Sequence, residues 1–292
     1  MNLRKTRHLS KKAVIPYLFI APAVIYILIA TIIPIIMALP ISFTDWSALS
    51  SKKNFIGLDN YKNLLGDEEF WKSCFITAKF FLYVPVVMAV SLGTALLLNT
   101  KIKGIKFFRV IFYSPVITST VAVAILFQWF YQPSFGLFNS ILKFIGLSGI
   151  GWVNNASTAV MSVILFKVWK CFGVGMLIYL AGLQDVPSDV KEAAAIDGAS
   201  AWQNFLHVTM PLLRPAHIYL LITNVIEVFM LFQETYMLKG PLNSTKTVIN
   251  YIYEKGFTSA EMGYACSMSF VLFIIVMTIT LIQFKATKLD VL

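Results

Sequence analysis

Six stretches of about 20 mostly apolar residues run through the chain, near 15–41, 74–98, 107–130, 158–182, 212–236 and 265–284. A helix of that length crosses about 30 Å of hydrocarbon, and inside lipid its backbone N–H and C=O groups must bond within the segment. The chain is therefore expected to be all-α, a polytopic membrane protein with about six transmembrane helices. Composition agrees. Of 292 residues, 58% are hydrophobic and 13% charged, with a mean hydropathy of +0.75, against about 25% charged in ordinary soluble domains. Pro22, Pro34, Pro40, Pro85 and Pro115 fall within or near these stretches, where they kink helices or mark their ends.

A formal charge of +10 would suit nucleic acid, but the basic residues cluster beside the apolar stretches, where they orient a membrane protein. Arg4, Lys5, Arg7, Lys11 and Lys12, then Lys101, Lys103, Lys106 and Arg109, then Lys285 and Lys288 share one side in a six-span arrangement. That side is read as cytoplasmic, with both termini on it, in the cell membrane. Lys52, Lys53, Lys62 and Lys72 around the first outer loop are offset by Asp45, Asp59, Asp67, Glu68 and Glu69. The run from about Ala13 to Ile41 exceeds the roughly 7–15 residues of a signal-peptide core and is expected to stay as an anchor. Cys74, Cys171 and Cys266 lie far apart, and His207 and His217 have no carboxylate neighbours in sequence, so no metal site is assigned. No catalytic cluster stands out, and no GxxxxGK[ST] loop is present to cradle a nucleotide.

One segment does not read as a simple connector. From Val186 to Pro215, Asp189 and Glu192 place negative charge at a helix start and Ala193 to Ala195 favour helix. Gly198 lets the chain leave helical geometry, and Ala201, Trp202, Phe205 and Val208 give a second short helix an apolar stripe that Pro211 is expected to stop. Those apolar residues need cover, and lipid, the chain's own bundle or another subunit would each supply it.

The same residues resemble the loop of binding-protein-dependent ABC importer permeases: Glu192, Ala193 and Ala194, then Gly198, then Val208, Met210 and Pro211, with Asp197 beside the glycine. Val208 and Met210 replace the more usual isoleucine and leucine. YLFIAPAVIYILI at Tyr17–Ile29, FIGLDNYKNLL at Phe55–Leu65, GLFN at Gly136–Asn139, VWK at Val168–Lys170, AGLQDVP at Ala181–Pro187 and INYIYEKGF at Ile249–Phe257 look like the sugar-permease branch. Gly240-Pro241 departs from it, since that branch often has two glycines there. The resemblance implies type I ABC importer permease architecture, with residues 1–292 as a single permease domain and 186–211 as its coupling segment. It further implies a similar but non-identical second permease, two ATPases that hold the ATP and magnesium, and an extracytoplasmic solute-binding protein that delivers a sugar or oligosaccharide. This chain would then be a transport subunit, not an enzyme, with no cofactor of its own.

Charged and amide side chains inside spans are costly and often functional. Lys167 and Lys170 are three residues apart, as are Asn224 and Glu227, so each pair shares a helix face and the two faces can form one polar patch. A Lys–Glu pair that merely joins two helices and a place in the solute path both stay open; the resemblance implies the path, which these regions line in the sugar branch. Trp169 is read as packing or as a sugar-stacking face, Lys79 as snorkelling to the interface, and Gln233 and Glu234 as solvated. A second reading is an ion-gradient-driven secondary transporter or channel with Lys167, Lys170 and Glu227 as coupling groups, which leaves the segment after Val186 without a role.

Overall fold

The computed structural model describes residues 11–100 and 103–287. Arg4, Lys5, Arg7, Lys101 and Lys288, and the side chains of Lys11 and Lys12, lie outside the described residues. Among the described residues the regular elements are helices, in the order α1 (Pro16–Ile41), α2 (Asp59–Leu65), α3 (Glu68–Leu98), α4 (Ile105–Ile117), α5 (Thr120–Phe130), α6 (Leu137–Phe144) and α7 (Ala156–Asp185). After these come α8 (Ser188–Ile196), α9 (Ala201–Asn204), α10 (Arg214–Phe229), α11 (Gln233–Met237), α12 (Val248–Tyr253) and α13 (Met262–Thr287). Five helical stretches are long and apolar enough to cross a membrane: α1, α3, α7, α13, and α10 with α11.

The expected span at 107–130 is not one helix. It is α4 and α5, which meet at 95° across Thr118 and Ser119. Local chemistry explains the break. Pro115 has no N–H to give to the carbonyl four residues back, and the Ser114 hydroxyl donates to that carbonyl, Ile111 O, at 2.8 Å instead. Thr118 then turns extended, with its hydroxyl on Pro115 O at 2.6 Å. Ser119 starts the next helix as N-cap, accepting from the Ala122 N–H.

The described residues pack as two compact units, one made of residues up to 66 with 253–272, the other of residues from 67 to 252 with those from 273 on. In the first, no described residue of α1 is buried, and its apolar side chains are exposed along its length. The loop after α1 is knitted by buried Asn60, whose side-chain amide donates to Ser42 O and Thr44 O, both at 2.9 Å. The Asn54 side chain and backbone N–H donate to Asp45, holding its carboxyl below the usual carboxylate range.

The second unit centres on α7, which is buried along most of one face and packs most extensively on α3. Ala95 and Leu98 of α3, Met176, Tyr179, Leu180 and Leu183 of α7, Leu213, and Leu220 of α10 form one apolar core. Asp67 caps α3 by accepting from the N–H groups of Glu69 and Phe70. Nearer the start of α7, Phe127, Tyr131, Phe138, Trp152 and Phe166 form an aromatic cluster, and the Tyr131 hydroxyl donates to Ser162 O at 2.7 Å. Trp169 lies at its edge, with its ring 5.3 Å from Phe127 and 41% exposed.

Helix α4 lies close to α7 because Gly173 has no side chain. A Cβ there would sit 2.6 Å from Phe112 O and 3.1 Å from the Cα of Tyr113. Gly173→Ala is expected to force the helices apart and cost about 1–3 kcal/mol, read as a lower Tm of the purified protein in detergent. An unchanged Tm would mean that the helices have slack at this contact.

Candidate functional site

The connection between the fourth and fifth apolar stretches is structured throughout. Helix α8 starts at Pro187 without a side-chain cap and carries Asp189 in its first turn. It ends at Gly198, whose φ of +84° suits glycine. The Gly198 N–H reaches Ala195 O at 3.1 Å and the Ala199 N–H reaches Ala194 O at 2.9 Å. This paired pattern is a Schellman ending. Two residues later α9 opens with a full capping box: the Gln203 N–H donates to Ser200 Oγ, and the Ser200 N–H donates to Gln203 Oε1. The side chain of Asn204 then donates to Lys191 O at 3.0 Å, tying the second helix to the first.

The capping box at Ser200 is not among the sequence expectations, although Ser-x-x-Gln at 200–203 is its signal. Pro211 was expected to stop the second helix, and the structure corrects this. A π turn over Phe205–Thr209 leads into a helical turn at Met210–Leu212, and after Leu213 the chain runs straight into α10. Where the regular i→i−4 ladder has already shifted, a residue without an N–H is tolerated. Glu192, Ala193, Asp197 and Pro211 are exposed and Ala194 half-buried. Ala194, Asp197, Gly198, Gln203, Asn204 and His207 line a depression of about 370 Å³. Ile196 and Trp202 are exposed at 86% and 67%.

Within the spans, Lys167 on α7 is the centre of an ionic cluster. Its ammonium lies 3.2 Å from Glu234 Oε1 and 3.4 Å from Glu227 Oε2, with the ring of Tyr83 beneath it at 5.4 Å. The Lys167 and Glu234 side chains are buried, while that of Glu227 is 53% exposed. Glu234 was expected to be solvated and is not. The fifth span breaks over Met230–Phe232, and α11 carries Glu234 to Lys167. A separation of seven residues, about two helical turns, put Glu227 and Glu234 on one face and was the signal available in the sequence.

The expected single patch of four residues is only partly formed. Asn224 is buried but donates to Leu220 O of its own helix at 2.7 Å. Lys170 turns to the broken third span and donates to Pro115 O at 3.0 Å and Thr118 O at 2.8 Å. Lys79 is exposed, with its ammonium 5.0 Å from the centre of the Phe75 ring. His207 Nδ1 meets Gln203 O and His217 Nδ1 meets the Tyr179 hydroxyl at 2.8 Å. Among the described residues no three His, Cys, Asp or Glu side chains converge as metal ligands.

Several apolar spans, two of them interrupted where buried ionic side chains collect, define a multi-pass membrane transport component. Residues 82–285 match the family described as the binding-protein-dependent transport system inner membrane component, and the chain belongs to it. It is 36% identical to the arabinooligosaccharides transport system permease protein AraP of Bacillus subtilis, over 94% of this chain and 89% of that one. It is 34% identical to the trehalose/maltose transport system permease protein MalF of Thermococcus litoralis, over 95% of each. Among solved structures it is similar to a bacterial ABC transporter involved in the import of the acidic polysaccharide alginate, with a TM-score of 0.85 and 25% identity over 97% of this chain and 98% of that one.

The unequal burial of the two carboxylates ranks their contributions to stability. Glu234→Ala removes the buried partner of Lys167 and is expected to destabilise by about 2 kcal/mol, below the full cost of a broken buried pair because Glu227 is still in reach. Glu227→Ala, at an exposed group, is expected to cost at most about 1 kcal/mol. Thermal unfolding of the two variants in detergent checks the ranking, and equal losses would contradict it.

Proposed function

We propose that this chain is the permease subunit of an ATP-driven ABC importer that moves a sugar or oligosaccharide inward from an extracytoplasmic binding protein. The observation that carries the reading is the paired helical element from Ser188 to Leu212. A Schellman glycine, a capping box and the Asn204–Lys191 bond make it a defined unit, and it leaves Glu192, Ala193 and Asp197 exposed. An element built this way can transmit a push where a floppy loop would absorb it. In this reading α8 seats in a groove of a separate ATPase, Glu192 meets a basic residue there, and Gly198 makes the turn between the two helices. ATP and magnesium are held by two such partner ATPases and none of the hydrolysis is done by this chain.

A saccharide substrate is supported by the solutes for which the relatives are named, arabinooligosaccharides for AraP, trehalose and maltose for MalF, and alginate for the solved transporter. The chain acts as a single permease domain beside a similar, non-identical permease, with residues 186–211 as its coupling segment and both termini in the cytoplasm. Lys167 and Glu227 belong to the solute path, with Asn224 one turn before Glu227. Glu227 is their half-exposed member and offers carboxylate oxygens to sugar hydroxyls. An ion-driven secondary transporter would use the same Lys167–Glu227–Glu234 cluster, but it gives the Ser188–Leu212 element nothing to do.

The test is purification of the tagged chain from solubilised membranes, followed by reconstitution. Co-purification of an ATPase and a second permease, with ATP turnover stimulated by one loaded binding protein, is the expected result. A chain that purifies alone and moves solute into liposomes without ATP would make it a secondary transporter. Glu192→Lys and Gly198→Asp are each expected to lower ATP-driven uptake at least tenfold while the chain still accumulates in the membrane. Full uptake by either variant in a normally assembled complex would remove the docking role.

A further inference from the structure

Lys170 is 6% exposed, and among the described residues no carboxylate lies within ion-pair distance of it, unlike Lys167 one turn earlier. A buried ammonium is tolerated only where its N–H groups meet acceptors. Two of them meet the carbonyls of Pro115 and Thr118. Those oxygens lie at the end of α4, where the last carbonyls lack the N–H four residues on and carry the negative end of the helix dipole; Pro115 O also accepts from the Thr118 hydroxyl at 2.6 Å. The ammonium and the helix end therefore satisfy each other.

The contact matters because the break directs the next helix. Helix α5 leaves α4 at 95°. Gln128 on α5 donates its side-chain N–H to Met237 O at the end of α11. Helix α11 carries Glu234, whose carboxylate meets Lys167 on α7, three residues before Lys170. The contacts close a ring, from Lys170 through the break to α5, across to α11, and back through Glu234 to Lys167. Two lysines on one helix thus each hold a discontinuity in a different span.

We propose that Lys170 is a positioning residue for solute translocation: by binding the carbonyl end of α4 it keeps the third span bent, and so seats α5 against α11, the segment that presents Glu234 to Lys167. It acts through backbone and not by touching solute. The inference rests on the permease reading, because solute movement is what the positioning serves.

Spin labels at Phe107 on α4 and Trp129 on α5, both 67% exposed, report the bend in the assembled transporter in lipid, with Cys74, Cys171 and Cys266 replaced by alanine. A straight helix would put the two backbones about 33 Å apart, and a 95° bend at Thr118–Ser119 about 22 Å. The short distance is expected in the otherwise unaltered chain. Lys170→Met is expected to lengthen or broaden it and to lower the maximal rate of ATP-driven uptake at least tenfold, with the half-saturating concentration of loaded binding protein within about twofold of the parent. Lys170→Arg, which keeps the donors, is expected to retain the short distance and the uptake.

Unimpaired uptake by Lys170→Met would overturn the proposal. So would a loss of uptake at an unchanged label distance, which would mark a solute contact instead. If Lys170→Met does not accumulate, the other two chains decide. A distance near 33 Å in the parent, or a lengthened one in an active Lys170→Arg, overturns the proposal, and short distances with uptake in both support it. The label distance is read without transport, so a parent chain that shows the bend but no ATP-driven uptake would count against the permease reading and not against the bend.

Discussion

Backbone carbonyls freed where a membrane helix breaks must find donors inside the protein, because lipid supplies none. Among the described residues two spans break, and donors from other segments meet their freed carbonyls. At the third span the donors are the Lys170 ammonium and the Thr118 hydroxyl. At the fifth, Leu231 O accepts from the hydroxyls of Thr247 and Thr235. Thr247 and Thr235 are in turn bonded to the buried amide of Asn250. These donors satisfy carbonyls that lipid would leave unpaired, at the two places where the chain turns into α5 and α11.

The ionic cluster arises from the second of those breaks. Lys167 sits near the middle of α7, well inside an apolar span, where a lone ammonium would be costly. Glu227, on α10, offers one partially solvated carboxylate, and the turn after Phe229 delivers a second, buried one from α11. Burial separates the two in role. Glu234 holds Lys167 inside the protein, while Glu227 keeps about half of its side chain exposed.

Much of the fold was legible in the sequence, because long apolar stretches and the cost of unpaired backbone in lipid leave helices as the answer. The segment after Val186 was also legible: alanines 193–195 and Gly198 point to a helix and its left-handed ending, and the family resemblance rests on the same residues. Its exit was misjudged at Pro211, since proline disrupts a regular helix but is accommodated beside a π turn, and nothing local announces a π turn. The site was legible only in part. Lys167 and Glu227 were read as parts of one polar patch and stand 3.4 Å apart, whereas Glu234 was assigned to solvent because a continuous fifth span would carry it outward.

The sequence by itself therefore determined that the chain crosses a membrane several times as helices, that the stretch after Val186 is structured, and which ionic groups lie inside the spans. These follow from hydropathy, glycine and proline geometry, and residue spacing, which act over a few residues or one helix length. Only the tertiary structure decided which acceptor each buried lysine takes, since Lys167 and Lys170 lie on the same face and are chemically alike. Their oxygen acceptors lie between 52 and 67 residues away along the chain. Which of them is met depends on where the partner helices break, a matter of close packing at Gly173 and of donors brought from distant segments.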